Sequence, residues 1–154
     1  KTTVHFFVHL VFTLGHMSYI FTSGYGYSKN LCSDVTSWFI EKYFPRHKLE
    51  VDIVHRGMKR DCALAWIGVV GSQYRPRHFE IEMQSNLDAD TYTVTLLHEL
   101  WHLLQHVRGD LSFARSKRCW KGTDCSLMDY TDEPWEVEAI SMESELLDNY
   151  LKTL

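Results

Sequence analysis

None of the four cysteines belongs to a CxxC pair. The spacing of Cys32, Cys62, Cys119 and Cys125 therefore fits neither a zinc ribbon nor a dense disulfide scaffold. They read as free thiols in a reducing compartment, with Cys119–Cys125 the one bridge that remains geometrically open. Proline occurs only three times, and no repeat, linker or low-complexity segment divides the 154 residues, so a single domain is expected. An excess of one charge sign is missing as well. Lys and Arg number 16 against 20 Asp and Glu, interspersed, for a net charge of -4, so no polyphosphate-binding footprint stands out. Arg56, Lys59, Arg60, Arg75 and Arg77 are the set that would make a local basic face, and they read more simply as solvated loop ends.

A long apolar run is also absent. The first sixteen residues, KTTVHFFVHLVFTLGH, come nearest to one, but His5, His9 and His16 interrupt them, and a membrane helix needs about 20 predominantly apolar residues. Of the parts of a signal peptide, only the apolar stretch is persuasive. Residues 1–16 are expected to be an N-terminal extension or arm, with Met17 a natural start for the domain of residues 17–154.

With 45% apolar and 14% aromatic residues the chain has ample material for a core. LCSDVTSWFIEKYF predicts a helix, with Leu31, Val35, Trp38 and Phe39 near helical spacing, Ser33 or Asp34 as N-cap and Pro45 beyond its end. KLEVDIVH and RHFEIEM alternate as half-buried strands, and the continuous run CALAWIGVV suits a central strand between them. Three strands in a meander are expected. NLDADTYTVTLLHELWHLLQHVRGD is the strongest helix, capped by Asp88 or Asp90 and stopped by Gly109. A polar connection with a tight turn at WKGTD follows, then a final helix with Pro134 in its first turn.

The stretch His98-Glu-Leu-Trp-His102 carries the chemistry. At 100° per residue, His102 lies about 40° from His98, so both imidazoles leave one face one turn apart. Leu96, Leu100, Leu103, Leu104 and Val107 gather on the opposite face. Two neutral nitrogen donors on a rigid element suit zinc, and Glu99 beside them can take a proton from water.

A third ligand is needed. His106 lies too far along the same helix, about 12 Å from His98 at 1.5 Å per residue. The metzincin pattern HExxHxxGxxH fails at Gln105 and Arg108. Glu136 and Glu138 in PWEVEA remain as the two contenders, either of which would complete a His₂Glu site from a following helix.

TLLHELWHLLQHVRGDL, RCWKGTD and DYTDEPWEVEA together resemble small phage-encoded zinc metallopeptidase-like proteins. FTSGYGYSKNLC, FPRHKLEVDIVHRGMKR and YRPRHFEIEM share that character, so the resemblance runs over roughly residues 18 to 150. The order of elements is similar to the minimal gluzincin and SprT-like plan. That implies an α+β fold: an N-terminal helix, a three-stranded, mostly antiparallel sheet, the HExxH helix, and a C-terminal helix carrying the third ligand.

The resemblance further implies a zinc-dependent metalloendopeptidase. In it His98, His102 and Glu136 hold Zn2+, with Glu138 the alternative ligand, and Glu99 activates the attacking water. The gluzincin pattern supports Glu136 through Ala139 and departs from it at Ile140. Tyr130 is a speculative oxyanion donor, and RHFEIEM an edge strand for an extended peptide or protein substrate. The implied location is the infected host cytoplasm or the virion. The rival readings are a metal-stabilised virion protein without turnover and a different zinc hydrolase.

Overall fold

The computed structural model describes residues 6–154, and its main element is a five-stranded mixed sheet covered on one face by helices. In chain order the elements are β1 (Phe7–Thr13), β2 (His16–Gly24), α1 (Lys29–Tyr43), β3 (Glu50–Arg56), β4 (Ala65–Val69), β5 (His78–Gln84) and α2 (Ala89–Arg108). The short strands β6 (Leu111–Ser112), β7 (Cys119–Trp120) and β8 (Thr123–Asp124) follow, and α3 (Pro134–Leu151) closes the chain.

The expected three-stranded antiparallel sheet is incorrect. The strand order is β1-β2-β3-β5-β4, with β2–β3 and β3–β5 parallel and the two outer pairs antiparallel. Nor is there a meander. After β3 the chain runs out to β4 at the edge and returns as β5, which inserts between them. The burial of each strand accounts for this. Phe79, Ile81 and Met83 of β5 are fully buried, whereas β4 is only half-buried on its better side and exposes Trp66 and Gly68 on the other. A second, three-stranded sheet, β6-β7-β8, forms where a polar connection was expected. Its hairpin turns at Lys121 and Gly122, both with positive φ, as a two-residue loop requires.

Two strands precede α1, so the helix is not the first element. Of the sixteen residues read as an extension, 1–5 lie outside the described residues, and Phe7–Thr13 pair along β2. In β2 the usual polarity is blurred, with Ile20 the one apolar residue between two inward hydroxyls. Ser18 and Thr22 point inward while Tyr19 and Phe21 point outward. Each buried hydroxyl has a partner: Ser18 accepts from the Leu49 amide at 3.0 Å, and Thr22 from the Tyr27 hydroxyl at 3.1 Å.

The helix α1 starts earlier than expected, capped by Ser28, whose side chain accepts from the Leu31 amide, and not by Ser33 or Asp34. Its buried face is Cys32, Val35, Thr36, Phe39 and Ile40. In α2 the Asp88 cap and the left-handed Gly109 stop are as expected. No helix among the described residues is long and apolar enough to cross a membrane. The basic residues do not form one face either. Arg56 ends β3 while Arg77 precedes β5, and these strands run parallel, so the two lie at opposite ends of the sheet, with Arg56 paired to Asp61 and Glu82.

A buried polar node ties α2 to the sheet. His55 of β3 meets the Ser23 carbonyl at 2.9 Å through Nδ1 and the Tyr92 hydroxyl at 2.8 Å through Nε2, with Tyr27 stacked on the ring. Gly24 fits here because a Cβ would stand 2.0 Å from the His55 carbonyl oxygen. Burial pushes the His55 pKa down to about 4, and the Ser23 carbonyl opposes this only in part. The unfolded imidazole titrates near 6.5, so unfolding takes up a proton between the two values. The stability from neutral His55 is present above about pH 6.5 and lost as pH falls toward 4, on the order of 3 kcal/mol. Denaturant titration of the metal-free protein should show this loss, and a His55→Phe variant should show a shallower pH dependence.

Candidate metal centre

Helix α2 packs Leu96, Leu97, Leu100, Leu103 and Leu104 into the core, which turns His98 and His102 toward α3. The start of α3 is held in turn. Pro134 occupies its first turn, Trp135 is buried, and the buried Glu133 accepts from Arg118 at 2.8 Å. Arg118 also donates to the carbonyls of Ser126 and Met128, which fixes the approach of that loop to the helix.

Glu136 thereby enters between the two imidazoles. Its Oε2 lies 3.1 Å from His98 Nε2 and its Oε1 2.9 Å from His102 Nε2, and the two Nε2 atoms are 3.1 Å apart. The ligand atoms of the three residues all fall within 4.8 Å of one another. Glu138 is not brought to this point. It accepts from Trp101 Nε1 at 2.7 Å and from Gln105 Nε2 at 3.2 Å. His106 also stands apart, buried against Phe79 and Phe113, with burial pushing its pKa down to about 4.

The remaining ring nitrogens are occupied. His98 Nδ1 faces Glu143 Oε1 at 2.9 Å, and His102 Nδ1 faces Gln105 Oε1 at 2.7 Å. A proton on each Nδ1 leaves the Nε2 lone pairs directed at the common point, as an outer set of hydrogen bonds does for metal-bound histidines. Gln105 is oriented by donating to the Trp135 carbonyl and to Glu138, so Glu138 acts on His102 through that amide.

Sequence reasoning missed Glu143 and Gln105. Glu143 lies seven residues beyond Glu136, two turns along the same face, and Gln105 lies three beyond His102. Helical spacing alone would have found both.

Charges at the centre are strongly coupled. Burial disfavours a charged His98, but the contact with Glu136 and the charge of Glu99 outweigh it and raise the pKa to about 9. His102 is raised by the same balance. Burial would raise Glu136 too, yet the two imidazoles hold its carboxyl well below the usual carboxylate range. Without metal the site thus keeps protons where a cation would sit. Two imidazoles, one carboxylate and a closed outer shell fit a His₂Glu zinc site.

Glu99 differs from the other carboxylates. It is 7% exposed, lines the cavity above the three donors, and accepts no hydrogen bond from any described residue. Burial raises its pKa, opposed by His102 and His98. The cavity measures about 780 Å³ and is walled by Trp66 and Ile67 of β4 on one side and by Leu111, Phe113 and Trp135 on the other. Tyr130 reaches into it and donates to Glu136 Oε2 at 3.1 Å. Burial raises the Tyr130 pKa to about 12, with the Glu136 charge adding to it, so the hydroxyl remains a donor.

The assignment of the substrate edge to RHFEIEM is incorrect. That strand is β5, which is paired on both sides, whereas β4 carries the free edge beside the cavity. All four cysteines are free, and Cys125 Sγ points to the Thr123 carbonyl. A second histidine–carboxylate group, Glu50, Asp52 and His78, sits on the outer sheet face with both ring nitrogens already facing carboxylates.

The chain matches no described protein family, no curated protein and no solved structure.

Proposed function

We propose that the protein is a zinc-dependent peptidase in which His98, His102 and Glu136 hold the metal. One observation carries this reading: three donor atoms converge beside a buried carboxylate, Glu99, that no described residue engages, at the floor of a cavity flanked by a free strand edge. Zinc bound there supplies Lewis acidity, polarising a carbonyl oxygen and bringing the pKa of water toward ~7. Glu99, already raised by burial, takes the proton of the attacking water and returns it to the departing amine nitrogen. The Tyr130 hydroxyl can exchange Glu136 for the oxygen on which charge develops. The edge of β4 offers backbone hydrogen bonds to an extended chain, with Trp66 beside it.

Metal analysis of the purified protein and digestion of an unstructured protein test the proposal together. About one zinc per chain is expected, since one His₂Glu set is present, along with cleavage that stops on chelation and returns with zinc. Protein free of stoichiometric metal would sink the reading. Bound zinc with no turnover would favour the metal-stabilised structural protein instead.

A further inference from the structure

The sheet has a second free edge, far from β4 in the strand order, at β1. Natural edge strands are protected by charge, proline, bulges or brevity, and β1 has none of these. It is seven residues long, Phe-Val-His-Leu-Val-Phe-Thr, and pairs in unbroken register with β2 along one side only. Among the described residues nothing pairs with its other side. Lys29 lies over the Phe7 ring at the start of the strand, leaving Val8, Leu10 and Phe12 uncovered on the outer face. By register these three stand beside Phe21, Tyr19 and Met17 of β2, so the outer face is continuously apolar.

This surface is open to solvent. Phe6, Phe7 and Phe12 are 66%, 40% and 71% exposed. At about 200 Å² for a whole aromatic side chain, these rings alone leave on the order of 350 Å² in water. Pairing along the edge covers the strand backbone and the flanks of these side chains, which makes a contact smaller than the standard interface of about 800 Å² per partner.

The sequence of β1 also identifies the occupant. Leu10 is the midpoint of the strand. Antiparallel pairing of β1 with its own copy places Leu10 opposite Leu10 and Val8 opposite Phe12, apolar against apolar on the outer face. A twofold axis through Leu10 satisfies both free backbone edges at once and closes the assembly.

We propose that β1 is the interface of a twofold homodimer in which the strand pairs antiparallel with itself about Leu10 and joins two five-stranded sheets into one. This is independent of the metal centre. Sedimentation velocity on the full chain tests it: the wild type is expected to be dimeric at micromolar concentration. Leu10→Lys and Leu10→Glu should each be monomeric, and an equimolar mixture of the two should regain the dimer because position 10 faces its own copy. Unchanged circular dichroism reports that the variants fold, and Val8→Lys, at a position 55% exposed, serves as a second disrupting change. A monomeric wild type, a dimer that survives both charged variants, or a mixture that stays monomeric would each overturn the proposal.

Discussion

Glu99→Gln is expected to lower peptide hydrolysis by about 10²–10⁴-fold, the usual contribution of a general base, and to leave the zinc content unchanged. The amide keeps the shape of the carboxylate but cannot take a proton from water. The proposed metal donors are His98, His102 and Glu136, so the substitution removes none of the groups that would hold the ion. The same substitution should not destabilise the fold. Glu99 is 7% exposed and accepts no hydrogen bond from the described residues, and burial raises its pKa against the opposing His102 and His98, so a carboxylate is costly there. A neutral amide relieves that cost, and the melting temperature of the variant should equal or exceed that of the wild type, the usual mark of an active-site residue. Initial rates, metal content and a thermal melt on one preparation check all three points. A variant that still cleaves at the wild-type rate would remove Glu99 from the mechanism.

The sequence made the HExxH helix legible because three signals agree there: the apolar period, the Asp88 cap and the Gly109 stop. The sheet was harder to read for specific reasons. In β2 the inward positions carry Ser18 and Thr22 on either side of Ile20, and the outward ones Tyr19 and Phe21, so a hydrophobicity pattern does not separate its faces. The hydroxyls can be buried only because Leu49 and Tyr27 supply partners from distant positions, which no local window contains.

Strand order was hidden in another way. CALAWIGVV is more continuously apolar than RHFEIEM, yet it forms the edge, because part of its apolar surface lines the cavity and not the core. At the candidate metal centre, residue spacing put His98 and His102 on one face and the family pattern favoured Glu136, while the different contacts of Glu136 and Glu138 follow from the phase of α3 against α2. That phase depends on Pro134, Trp135 and the Arg118–Glu133 pair, a tertiary arrangement.

Glu136→Ala is expected to weaken zinc binding by more than the roughly 10–100-fold associated with an outer-shell partner, and Glu138→Ala by an amount within that range. Magnitude alone can leave the two close, so conservative variants separate them. Glu138 uses one oxygen to accept from Trp101 and Gln105, which an amide oxygen can do equally well, so Glu138→Gln should bind zinc nearly as the wild type does. Glu136→Gln should remain weak, because the amide brings no charge to the cation. The pH dependence gives a second criterion. In the metal-free protein Glu136 helps hold the His98 pKa at about 9, so zinc must displace a proton at neutral pH, and affinity rises with pH until that value is passed. Removing Glu136 takes away the largest influence favouring that proton, while burial still opposes it. The pH midpoint of zinc uptake should therefore move to lower pH in Glu136→Ala and stay in place in Glu138→Ala. Isothermal titration at several pH values, with the released protons counted from two buffers of different ionisation enthalpy, measures both effects. A midpoint that moves only with Glu138 would exchange the two roles.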